Sequence, residues 1–212
     1  FYAGSPSFYI DPYTKDYNSY IVYSRSTLSD REQDFSCDVE EQLESEKVPL
    51  SSYRNADDGL LRTFRLALVC TGEYAQYHLN DQGISDDETD AVKKAAVLSA
   101  MNTSMTRVNG VYEKDLGVRM EIIANNDEII FLDSNTDGLT NTSGGSLLGQ
   151  TQSICDNIIG NANYDIGHVF STGGGGVASL GVVCLSGSKA RGVTGSSNPT
   201  ADPFDIDYVA HE

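Results

Sequence analysis

The chain has 212 residues and sets 31 acidic side chains against 14 basic ones, a net charge of −17. That length suffices for one good-sized domain with a smaller segment in front. The charge disfavours a sequence-independent grip on nucleic acid or on an anionic membrane surface, and no stretch approaches the roughly 20 apolar residues of a membrane span.

The opening residues, FYAGSPSFYI, are neither a methionine start nor a signal peptide, so a cut front end is expected. SFYIDPYTKDYNSYIVYSRSTL is rich in tyrosine and β-branched residues around an Asp-Pro turn and reads as a strand pair. Residues 40–59 are acidic, polar and without sustained period, which marks an exposed connector and a boundary near residue 60.

TFRLALVCT, residues 63–71, has the apolar continuity of a strand buried on both faces, and a turn is expected after it. Ser85 with Glu88 forms a capping-box signature. Ala91, Leu98, Met101, Met105, Val108 and Tyr112 then recur at helical steps up to Gly117, so a long amphipathic helix is predicted. VRMEIIAN and EIIFLD read as two strands joined at Asn125-Asn126-Asp127. GGSLLGQTQSICDNIIG sets Leu147, Leu148, Ile154, Cys155, Ile158 and Ile159 along one helical face, and YDIGHVFST is another buried strand. This order predicts an α/β layer with a mostly parallel sheet and helices packed against it.

Cys37, Cys70, Cys155 and Cys184 fit no CxxC zinc or redox pattern. Buried free thiols and disulfides formed after export both remain open. The glycine run in STGGGGVASLGVVC follows a strand, but no lysine and hydroxyl stand at the offsets of a phosphate loop, and the run leads into strand-like sequence. Tight turning or close approach of another chain is the better account of those glycines. His168, within DIGHVFS, reads as a hydrogen-bonded strand histidine, and His78, near a turn, as a surface residue.

The last stretch, DPFDIDYVAHE, reads as a helix with Asp202 as N-cap, Pro203 in its first turn and Phe204, Tyr208 and His211 on one side, interrupted in mid-course. A second histidine four residues after His211 would put both imidazoles on one metal with Glu212 beside them, the HExxH arrangement. The His-Glu pair alone does not establish such a site.

From about residue 62 onward the chain resembles the bacterial reprolysin-like zinc metalloproteases of the metzincin group. The likeness is carried by RLALVCTGEYAQYH, MNTSMTRVNGVYEKDLGVRMEIIANNDEIIF, NYDIGHVFSTGGGGVASLGVVC, KARGVTGSS and DPFDIDYVAHE. In that family the final helix continues through HExxHxxGxxH, with three histidine ligands and the glutamate as general base. By position His211 resembles the first Zn2+ ligand and Glu212 the base. The resemblance implies the N-terminal half of a metzincin-like catalytic domain over residues 61–212, incomplete and inactive without its remaining ligands. It also implies that residues 1–60 are the end of a β-rich pro-segment.

Val177, Ala178, Ser179, Leu180, Gly181 and Val182 become a candidate edge strand for an extended peptide substrate. Cys37, in DFSCDVEE, becomes a candidate thiolate cap on the zinc. A bacterial protein, secreted or at the cell surface, is implied. The competing expectation is a non-catalytic adhesive or surface domain on the same scaffold, and a nucleotide-binding α/β protein is a weaker third.

Overall fold

The structure is a computed structural model that describes residues 8–12, 20–24, 37–40 and 59–212. The chain divides into two compact units, Phe1–Asp34 and Phe35–Glu212. In the first, β1 (Phe8–Pro12) pairs antiparallel with β2 (Tyr20–Ser24), Ile10 opposite Val22, which is the strand pair expected there.

The second unit is built on a six-stranded sheet. Its members are β3 (Cys37–Glu40), β4 (Arg62–Cys70), β5 (Val118–Ile122), β6 (Ile166–Ser171), β7 (Gly175–Ser179) and β8 (Gly192–Gly195), in the order β3-β7-β8-β6-β4-β5. Only β7 and β8 pair antiparallel; the other pairs are parallel. The predicted α/β class with a mostly parallel sheet is therefore the observed one. The compact units divide between residues 34 and 35, and β3 pairs within the sheet of the second.

β4 shows why its sequence is apolar without a break. Leu66, Leu68 and Cys70 enter one core while Ala67 and Val69 enter the other, because a strand sends successive side chains to opposite faces. The first core is closed by α1 (Gly72–Asp81) and α2 (Asp90–Leu116), and the second by α3 (Gly144–Ile154) with a π turn over Cys155–Gly160. Met101, Met105 and Val108 of α2 are buried as the periodicity requires, and Gly117 ends the helix at φ 63°.

Several local expectations are corrected. The turn expected after β4 is the helix α1, started by Thr71, whose hydroxyl accepts from the Tyr74 N–H. Asp137 adds a carboxylate there, accepting from the Gly72 N–H at 2.8 Å. Thr89, not Ser85, caps α2; the Ser85 hydroxyl accepts from the Asp87 N–H and closes a turn instead.

EIIFLD forms no strand. Asn126–Ile129 is a 3-10 turn, and a single bridge joins Ile130 to Cys70. Asn126 explains the change, since it enters the sheet with its side chain: Oδ1 accepts from Leu68 N at 2.9 Å and Nδ2 donates to Leu68 O at 2.8 Å. A side-chain amide thus supplies the rung where the β4–β5 ladder ends. In the segment after α3 the π turn rotates the helix face, leaving Ile158 43% exposed while Cys155 and Ile159 stay buried.

Replacing Asn126 by alanine leaves both Leu68 backbone groups buried without partners. Asn126→Ala is expected to cost about 2–4 kcal/mol, measured as a shift in the midpoint of chemical denaturation.

Candidate functional site

The chain's last residues hang from one short element. α4 (Ala201–Phe204) passes directly into a π turn, Asp205–Val209. The helix begins two residues earlier than the sequence implies. Thr200 is the N-cap and Ala201 takes a φ of 63°, so Asp202 lies inside the helix and has another task. That task is an ion pair with Arg107 of α2, which also reaches Asp205 through Nε at 3.4 Å. Asp205 is 2% exposed, so its charge depends on this cation. Phe204 is fully buried against Phe170 and Tyr74, with ring centroids 5.2 and 6.3 Å away. Tyr112 of α2 donates its hydroxyl to the Ala210 carbonyl at 2.8 Å, one residue before His211.

These anchors carry the chain end to the sheet. The His211 and Glu212 N–H groups both bond to Tyr208 O at 3.1 Å, and the His211 side chain is exposed. Glu212 turns onto β7. Its carboxylate lies over Gly176, so close that an added Cβ on Gly176 would stand 2.5 and 2.6 Å from Glu212 Cδ and Cγ. Glu212 Oε1 is shut off from solvent.

The predicted edge strand is shorter than its sequence. Val177, Ala178 and Ser179 lie in β7, whereas Leu180, Gly181 and Val182 lie beyond its end, Leu180 being 61% exposed and Gly181 at φ 72°. The outer edge of β7 is taken. β3 runs parallel to it with Cys37 opposite Gly176, Asp38 opposite Val177, Val39 opposite Ala178 and Glu40 opposite Ser179. The Cys37 side chain lies outside the described residues.

The glycine run precedes a strand rather than a helix, as its sequence implied. With Asn141, Thr142, Gly144, Ser171 and Val193 it lines a cleft of about 280 Å3 at the N-terminus of α3.

The other sequence candidates fall away from this place. His168 is a strand histidine, its Nε2 2.8 Å from the Thr194 hydroxyl. His78 is buried rather than on the surface, packed on Tyr74. Desolvation pushes both imidazoles down to about 4. Cys70 and Cys155 are buried free thiols whose pKa burial pushes up to about 12, which makes them inert; Cys184 is exposed, at φ 62°.

Among the described residues no three His, Cys, Asp or Glu side chains come close enough to hold a metal ion. One imidazole and one carboxylate fall short of a zinc donor set, which needs three protein ligands.

Arg107 and Gly176 were not singled out from the sequence. The signals available were a lone arginine on the apolar stripe of α2, two aspartates three apart before the His-Glu pair, and a glycine run longer than one turn needs.

Residues 98–212 match the family model described as Metallo-peptidase family M12B Reprolysin-like. A comparison with curated proteins gives no match.

The two depressed histidines set a pH dependence. An unfolded chain protonates His78 and His168 near 6.5, and the folded chain only near 4, so their stabilisation is present above 6.5 and lost as pH falls from 6.5 to 4. Denaturation midpoints are expected to fall across that window, and less steeply in a His78→Phe variant. The carboxylates of Asp156 and Asp165, held below their usual range, respond only below about 3.8.

Proposed function

Because the chain belongs to the reprolysin-like M12B family of metallopeptidases, we propose that it contributes the N-terminal part of the catalytic domain of a zinc-dependent endopeptidase. His211 is one zinc ligand and Glu212 the general base. The observation that carries this reading is the placement of Glu212 on β7. A carboxylate at the end of an anchored helix lies against β7, whose outer edge, held here by β3, is the one an extended peptide would take in its place.

Zinc, when held by three imidazoles, lowers the pKa of water toward neutrality. Glu212 then accepts a proton beside the peptide carbonyl, and the backbone of Val177, Ala178 and Ser179 aligns the peptide. Residues 1–212 on their own hydrolyse nothing on this reading, since two further ligands are required.

Residues 1–60 act as a pro-segment, and the outer edge of β7 explains how. The strand that a substrate would replace is already present as β3, running parallel, with Cys37 at the register position of the glycine that carries Glu212. Latency ends when the acidic connector, residues 40–59, is cut. Cys37 caps the metal as a thiolate, and the protein works outside the cell, where peptide substrates are met.

The coding sequence past Glu212 is expected to place a second histidine four residues after His211, and its absence sinks the proposal in favour of a non-catalytic domain. A protein carried through the motif is expected to bind one zinc. Glu212→Gln should lower kcat about 10²–10⁴-fold with zinc content unchanged; full activity in that variant removes Glu212 from the base role. Proteolysis of the connector should raise activity, and Cys37→Ser should raise it without any cut.

A further inference from the structure

Gly176 has an ordinary strand backbone. Its φ lies outside the left-handed region, so no conformational need excludes a side chain there. What excludes one is the space. The three heavy atoms nearest to an added Cβ are Oε1, Cδ and Cγ of Glu212, all closer than side-chain carbons approach one another. On the C-terminal side of Gly176 the strand carries side chains again, Val177 into the second core and Ser179 as acceptor from Arg191 Nε at 3.0 Å. At Gly176 itself the space a side chain would need is filled by the carboxylate.

Two constraints meet there. The approach of Glu212 from below is fixed by Phe204, by Arg107 with Asp202 and Asp205, and by the Tyr112 bond to Ala210. On its other side Gly176 pairs in β7 with the strand β3. The carboxylate is thus held between a fixed helix end and a bare stretch of backbone.

We propose that Gly176 is a positioning residue for Glu212: its missing side chain forms the slot that seats the carboxylate against β7, beside the line that a bound peptide follows. The inference rests on the metalloprotease reading for its catalytic meaning, but the contact itself does not. A methyl group at 176 drives the carboxylate off the strand by an ångström or more. Misplacement of that size is enough to cost about 10²-fold in rate.

The contact is tested on residues 1–212 by nuclear magnetic resonance. A nuclear Overhauser effect between the Gly176 Hα and Glu212 Hγ protons is expected, and Gly176→Ala should shift the Glu212 side-chain resonances. Gly145→Ala, whose Cβ meets nothing within 4 Å, should leave them in place. Absence of the cross-peak, or an unmoved Glu212 in Gly176→Ala, overturns the proposal.

The positioning role is tested in the protein carried through the motif. Gly176→Ala should lower kcat about 10–100-fold with KM within about twofold. Glu212→Asp, which withdraws the carboxylate by one methylene, should raise kcat again in the Gly176→Ala background while lowering it in the parent. Two losses that simply multiply overturn the positioning role. If Glu212→Gln keeps full activity, the metalloprotease reading fails instead, and the cross-peak still decides whether the slot exists.

Should Gly176→Ala fold poorly, its loss of stability is expected to vanish in the Glu212→Ala background. A loss that persists there places the obstruction elsewhere and overturns the proposal.

Discussion

Arg107 and the two aspartates it holds decide where the chain's last residues go. Asp205 is buried almost completely, and a carboxylate in that position is tolerated because a guanidinium reaches it from α2. The same cation holds Asp202, so α4 and the start of the π turn are pinned at two points three residues apart. Phe204 fills the core between those points, and Tyr112 takes the Ala210 carbonyl beyond them. A four-residue helix followed by a π turn would not hold a direction by itself. Its direction comes from α2, which is why the long helix matters to a site it does not reach.

The sheet supplies the other half. Parallel strands buried on both faces give β4 and β6 their rigidity, and the sheet reverses direction where β7 meets β8. β7 thereby brings its outer edge past the end of α4. That edge is hydrogen-bonded to residues 37–40 of the same chain. An exposed sheet edge invites pairing, and this protein meets the demand internally.

Much of this architecture was legible in the residues. The unbroken run from Leu66 to Cys70 announced a strand covered on both sides, and Met101, Met105 and Val108 announced the buried face of α2. Three features were hidden for physical reasons. α1 is only ten residues long, and its buried stripe, Tyr74, Ala75, His78 and Leu79, includes a histidine and covers barely two turns, too little apolar periodicity to stand out from a turn. Ile129 and Ile130 look like strand residues, yet the Asn126 side chain takes the rung they would have used, an exchange that only tertiary structure reveals. The π turn after α3 inserts a residue into the helical count, so Ile158 was counted on the wrong face. At the site, His211 and Glu212 drew notice as a pair. The glycine and the arginine that give Glu212 its place did not, because their partners lie far away in sequence.

The ladder between residues 37–40 and β7 is only four residues long. While the covering strand is part of the same polypeptide it meets β7 within one molecule, at an effective concentration set by the span of chain between them. Were the link severed, the same few hydrogen bonds would have to act between separate molecules. Scission alone would leave the strand in place for a moment; dilution would then carry it away.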